Sequence, residues 1–396
     1  MKLSPLYAAL AFMPAFGVSA PTSSASYGSS VGTVYFTNNE PSGNAILSAD
    51  IGPDGKLSFV GATSTQGLGL HADNGGNVAA PDPLFSQGAI DTNAATGLLA
   101  TVNAGSNTVS LFKVDSKNPS TLTLLGKPAS TKGEFPVSVA FNKAGTQLCV
   151  LNGGAVGGVA CFKPSKISGL SLEPQSFHPL ALNQTTPPSG PALSASAIGF
   201  TEDQKHLVVA IKGVAQTREG YLAVYDVAPD GTVSASATKV VNPVGGGLPF
   251  TVTPIPGQQA LFVADPATGV DIFDFSQGVR KSAGSPRTKT LAIPGEGAVC
   301  WSVYSPKTKN FYVSDILPQY PAVAGSGSQD LAIASFKGQE YLYVLVPNAT
   351  SVDVFNLKGP GQAQHLQQLN FADSAQKQGV PINRAYLVGM AVFVKP

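Results

Sequence analysis

One strand pattern recurs along this chain and leaves few architectures open. It consists of an alternating strand, a turn with Gly, Lys or Asn, and a second apolar strand. VSVAFNKAGTQLCVLN (137–152) is the clearest copy. SAIGFTEDQKHLVVAI (196–211), TVTPIPGQQALFVAD (251–265), SVYSPKTKNFYVSD (302–315), LAIASFKGQEYLYVLV (331–346) and AIDTNAATGLLATVN (89–103) repeat it. Second strands begin at Val34, Leu99, Leu148, Leu207, Leu261, Phe311 and Leu342, at intervals averaging about 51 residues. A third alternating strand follows most pairs, as in TVSLFKVD (108–115), GYLAVYDV (220–227), VDIFDF (270–275) and SVDVFNL (351–357). Weaker fourth segments come next, such as LTLLG (122–126). Four antiparallel strands every ~50 residues predict an all-β fold, a seven-bladed β-propeller of four-stranded antiparallel blades.

Two departures sharpen that expectation. The first copy, VGTVYFTNN (31–39), has only a second strand, and YLVGMAVFV (386–394) patterns like the missing first one. The C-terminal strand is therefore expected to complete the first blade and close the ring, removing an open sheet edge. After Asp315 only ILPQYPAVAGSGSQD, fifteen residues, precedes the seventh copy. The sixth blade is expected to be short or irregular.

Composition excludes other classes. The 24 basic and 23 acidic residues leave a net charge of +1, which gives no electrostatic footprint for nucleic acid. Charged residues make up 12% of the chain, about half the usual share, while Gly numbers 43 and Pro 31, against any helical bundle. Residues 1–20 read as a signal peptide, with Lys2, an apolar stretch too short to span a bilayer, and Val18-Ser19-Ala20 as a cleavage site. Residues 21–30 read as a flexible leader and 31–396 as the propeller. The expected location is secreted, extracellular or in the cell wall, as a monomer without membrane attachment. Cys149 and Cys161 flank a turn-forming segment and are expected to form a disulfide between two antiparallel strands, leaving Cys300 as a buried, inert thiol. Asn183 and Asn348 begin acceptor sequons for glycosylation.

In a propeller the loops from second to third strands, and from fourth to next first strands, share one face at the channel mouth. Candidate ligand-binding residues on that face are Gln87, Asn103, Ser138, Asn152, Thr251, Asp265, Ser302 and Asp315. The same Asn and Asp positions also suit turn chemistry. Arg218, Glu219, Glu134 and Arg384 are the candidate catalytic set, because forked guanidinium donors hold carboxylates and a carboxyl group can move a proton. Of the four histidines only His71, in LHADNGGN, is placed to reach this face. No HExxH, Cys/His metal spacing or phosphate loop occurs, so neither metal nor cofactor is expected.

DPLFSQGAI (82–90), VNAGSNTVSLFKV (102–114), GEFPVSVAFN (133–142) and KGVAQTREGYLAVYDV (212–227) resemble the secreted fungal proteins known as carboxymuconate cyclase-like, within the broader lactonase seven-bladed propeller family. The resemblance covers about residues 31–394. It implies a channel-face site where arginines hold carboxylates and a His/Glu set moves a proton. The family often has a histidine at the start of an inner strand, shortly after a proline. Here those places hold Ser138, Thr251 and Ser302, whose hydroxyls do not carry protons at neutral pH. The main expectation is therefore a catalytically weak or silent extracellular binding protein for a small carboxylated molecule or a cell-wall or matrix component. The alternative is an enzyme that forms or opens a lactone ring.

Overall fold

The computed structural model describes residues 30–78, 81–214, 217–317 and 327–396. The expected signal peptide and all but the last residue of the expected leader lie outside the described residues. Among the described residues the only α-helix is the short Ala372–Lys377, and no helix is long and apolar enough to cross a membrane.

Antiparallel sheets follow one another round an axis. From the axis outward, the first runs Val388–Val394, Gly32–Thr37, Ala45–Ile51 and Leu57–Ser64. The second runs Ile90–Asn93, Leu98–Asn103 and Thr108–Val114, with Leu122–Leu124 and Ala129–Ser130 both pairing the last of these. The third holds Pro136–Phe141, Leu148–Asn152, Gly158–Ser165 and Gly169–Pro179; the fourth Ala195–Phe200, His206–Ile211, Tyr221–Asp226 and Thr238–Val241. The fifth begins with the two-residue Thr253–Pro254 and continues through Ala260–Asp265, Gly269–Asp274 and Lys289–Ala292. The last blade is Leu331–Phe336, Gln339–Val346, Ser351–Gly359 and Gln362–Asn370.

The expected count of seven four-stranded blades is corrected to six. Between the fifth and last blades the described residues form only the hairpin Val299–Ser305 with Asn310–Asp315. The reason is chain length: fifteen residues before Leu331 cannot supply two more strands and their turns. The hairpin still holds its sector. Its first strand packs between Ala260–Asp265 and Leu331–Phe336. Phe311 stacks on Phe262 with ring centroids 4.1 Å apart, and the fully buried Trp301 meets Phe250 edge-on at 5.1 Å. Such aromatic contacts add to the area they remove from water.

Closure occurs as the sequence predicts. Val388–Val394 pairs antiparallel with Gly32–Thr37, placing Val392 opposite Val34. Thr37 Oγ1 donates to Val388 O at 3.0 Å. The disulfide also forms, between directly opposed Cys149 and Cys161 of neighbouring strands. Cys300 is free and buried. Asn183 is exposed, and Asn348 lies in the turn Pro347–Ala349.

Gly389 marks a tight point of the closing strand. Its φ is +75°, and a Cβ there would lie 2.9 Å from Ile90 Cγ2 and 3.2 Å from Ala89 Cβ. Gly389→Val therefore combines left-handed strain with overpacking between the first two blades. It is expected to lower unfolding free energy by about 2–4 kcal/mol, read from urea denaturation; an unchanged midpoint would show that the closing strand tolerates a side chain here.

Candidate functional site at the channel mouth

The inner strands enclose a space on the axis, and the segment Asp82–Gly88 fills it. The segment precedes the first strand of the second blade, yet it bonds to blades across the ring. Ser86 Oγ donates to Val137 O (2.9 Å), and Ser138 Oγ donates to Gln87 O (2.7 Å) in the third blade. Gln87 N donates to Ser196 O in the fourth (2.9 Å). Trp301 Nε1 donates to Ser86 O (3.1 Å), and Gln87 Nε2 donates to Ser302 O (3.0 Å). Ser302 Oγ continues the network to Thr251 Oγ1 at 2.9 Å. Thus Gln87, Ser138, Thr251 and Ser302, predicted as ligand-binding residues, are brought together by one internal network around this plug.

Two buried groups of opposite charge, Lys212 and Asp82, bracket the plug without a direct ion pair. The Lys212 ammonium donates to Phe85 O at 2.5 Å and lies 4.7 Å from the Phe250 ring centroid. Phe85 has a φ of +53°, which turns its carbonyl at the tip of the plug. Asp82 starts the turn and accepts the Ser86 N–H. Burial pushes Asp82 up and Lys212 down, each toward its neutral form, and their mutual attraction opposes both shifts. The Cys300 thiol beside them is pushed well up, by burial first and then by Asp82. Asp330 accepts the N–H groups of Gly389 (2.9 Å) and Gly88, and burial raises its carboxyl to about 8.

The residues that end the second strands fasten loops. Asn152 Nδ2 donates to Thr131 O and Gly158 O, both at 3.2 Å. Asn38 Nδ2 donates to Pro381 O. Asp265 Oδ2 accepts Gly247 N (2.6 Å) and Leu248 N (3.0 Å). Asp315 accepts Gly297 N (2.7 Å) and Ala298 N (2.9 Å). In each case the tied loop precedes the inner strand of the same blade. Asn103 instead donates to Thr108 and Ser110 and accepts from Asn44 of the first blade.

The candidate catalytic residues do not form one constellation. Arg218 and Glu219 are exposed in the turn after His206–Ile211, while Arg384 is exposed before the closing strand. No ion pair joins any of them among the described residues. Glu134 accepts a hydrogen bond from Thr186 Oγ1 at 2.5 Å.

Acid–base groups gather elsewhere on this face, where three loops of the first and second blades meet. Gly69 N donates to Glu40 O, and Asn39 Nδ2 donates to Leu70 O, both at 2.8 Å. The Glu40 side chain accepts the Asn383 N–H, and burial raises its carboxyl above the ordinary value. One residue beyond Asn383 stands Arg384. His71 stacks on Tyr386 with centroids 5.2 Å apart, and its Nδ1 lies 3.1 Å from Ala72 O. A carbonyl only accepts, so this contact assigns the proton to Nδ1 and leaves Nε2 with the lone pair. Sequence reasoning placed His71 and Arg384 on this face, but it missed Glu40, Asp82, Lys212 and Asp330. A lysine closing the apolar run HLVVAIK was the available signal for a buried partner.

Comparison with known protein families matches none, and comparison with curated proteins finds no relative. Among solved structures the chain resembles a candidate 6-phosphogluconolactonase from Bacteroides fragilis, at 14% identity and a TM-score of 0.60, covering 94% of this chain and 99% of that one. It also resembles a candidate 6-phosphogluconolactonase from Bacteroides uniformis, at 16% identity and a TM-score of 0.57, covering 86% of this chain and 96% of that one. These likenesses show the fold alone, a β-propeller.

Two measurements test the plug. Lys212→Met strands Asp82 in the interior and is expected to cost about 3–5 kcal/mol by urea denaturation, with Asp82→Asn/Lys212→Met recovering part; a neutral single variant would mean the pair does not hold the plug. The second concerns pH. Asp330 binds its proton more tightly folded than unfolded, so its contribution is full below an unfolded pKa of about 4 and is lost as pH rises through about 8. Burial raises Asp91 to about 6, with the same sign. Stability should fall as pH rises from about 4 to about 8, most steeply below about 6 where both groups contribute, and Asp330→Asn should flatten the fall above about 6; an identical pH profile in the variant would remove Asp330 from the cause.

Proposed function

We propose that this protein opens or closes the lactone ring of a small carboxylated molecule, working at the loops where the first and second blades meet. The observation that carries this reading is the Glu40 carboxyl, raised by burial although it accepts the Asn383 N–H, in the same loop cluster as His71, Tyr386 and Arg384. The resemblance of the fold to lactonase-like propellers supports it. In the hydrolytic direction, His71 Nε2 takes a proton from water as the oxygen attacks the lactone carbonyl. The ring C–O bond breaks, and protonated Glu40 supplies the proton to the leaving oxygen. Arg384 holds the substrate carboxylate with its forked donors. Closing a muconate is a different step from reversing that hydrolysis: a carboxylate oxygen bonds to an alkene carbon, the C=C π bond breaks, and the Glu40 proton goes to the neighbouring carbon with no water lost, so carboxymuconates are tried beside carboxylated lactones. The Cys149–Cys161 disulfide fits an oxidising compartment, so the proposed location is extracellular or in the cell wall.

A second reading is favoured by the filled axis: a silent extracellular binding protein that uses the ring as a rigid platform. Turnover decides between the two. Loss of muconate ultraviolet absorbance and pH-stat hydrolysis of carboxylated lactones are the measurements. The enzyme reading expects turnover that Glu40→Gln lowers by about 100-fold or more in kcat, with Arg384→Ala raising KM. Absence of turnover across both substrate sets would leave the binding reading. Turnover unchanged in Glu40→Gln and His71→Asn would place the chemistry elsewhere.

A further inference from the structure

On the face away from the blade-connecting loops, a groove lies between the fourth and fifth blades. Two adjoining cavities of about 120 and 300 Å³ open there, and His206 and Gly278 line both. His206 begins the second strand of the fourth blade, so it stands at the opposite end of that strand from Lys212. Its ring is largely buried, edge-on to Phe275, with Nδ1 3.1 Å from Asp226 Oδ1. The position of a Cβ on Gly278 has open space around it, so the backbone of the groove stays accessible.

The charges of this groove are unevenly matched. Its acidic groups already have partners: Glu202 has the Lys143 ammonium at 3.9 Å, Asp203 has that of Lys205 at 4.0 Å, and Asp226 Oδ1 lies 3.1 Å from His206 Nδ1. Arg280 and Lys281, exposed on the turn Val279–Gly284, form no ion pair among the described residues. Two adjacent uncompensated cations therefore border a cavity with a histidine at its back.

We propose that this groove binds a small molecule bearing carboxylate or phosphate oxygens, gripped by Arg280 and Lys281 with His206 behind it. Both oxyanions accept the forked contact a guanidinium offers, and the ammonium of Lys281 adds a compact second charge. The site shares no residue with the Glu40 cluster, so either can fail without the other.

Calorimetric titration of the whole protein with citrate, and separately with inorganic phosphate, at about 0.15 M salt tests the proposal. A saturable single site for at least one anion is expected, and which one saturates identifies the chemistry. Arg280→Ala/Lys281→Ala should weaken it by about tenfold or more, and His206→Asn should also weaken it. Glu40→Gln should leave it unchanged. No saturable heat with either anion up to about 10 mM would overturn the site, as would full affinity in the double variant.

Discussion

Strands that converge on an axis enclose a volume that must be occupied, because an empty apolar space forfeits the contacts of its walls. Here the occupant is a connecting segment, Asp82–Gly88, held by backbone and side-chain bonds from several blades at once. Its backbone carbonyls accept from the Lys212 ammonium, the Trp301 indole and the Ser138 hydroxyl, and its Gln87 N–H donates to Ser196 O. Lys212 carries the heaviest burden of that arrangement. Its charge is removed from water and compensated by a carbonyl, a ring face and the Asp82 carboxylate. The mouth of the ring is thereby narrowed to its periphery, and acid–base groups collect beside the first and second blades instead of over the axis.

The polar residues that end the second strands show how one geometric task selects between two side chains. Where the tied loop presents carbonyls, as at Thr131 and Pro381, the residue is Asn and donates its amide. Where the loop presents N–H groups, as at Gly247–Leu248 and Gly297–Ala298, the residue is Asp and accepts. A bond to a charged group is worth about 1.5–3 kcal/mol and a neutral one about 1 kcal/mol, so each contributes to ordering its loop. The bonds from Asn38, Asn152, Asp265 and Asp315 are accordingly those of loop fasteners.

The ring was legible in the sequence because its determinants are local and repeated. Strand alternation, turn residues and copy spacing recur through 137–152, 196–211 and 251–265, and the orphan first strand announced the closing one. The stunted sector was legible too, since fifteen residues set a limit that no packing can extend. The plug was not legible. DPLFSQG carries no periodicity, and its position follows from contacts with residues up to 215 positions away, as for Gln87 with Ser302. The Glu40 cluster was hidden for a similar reason. Glu40, His71 and Tyr386 lie on separate loops whose meeting depends on ring closure, which pattern reading gives only as topology.

Closure also has a temporal side. Thr37 and Val388 are bonded across 351 positions, so the Gly32–Thr37 strand waits for one made much later before its inner edge is covered. Until then the nascent chain is an open fan whose Gly32–Thr37 strand offers unpaired amides to any passing partner. Contacts of such separation slow the search for the native state. A chain built this way is most exposed to misassembly in the interval before Val388–Val394 is made.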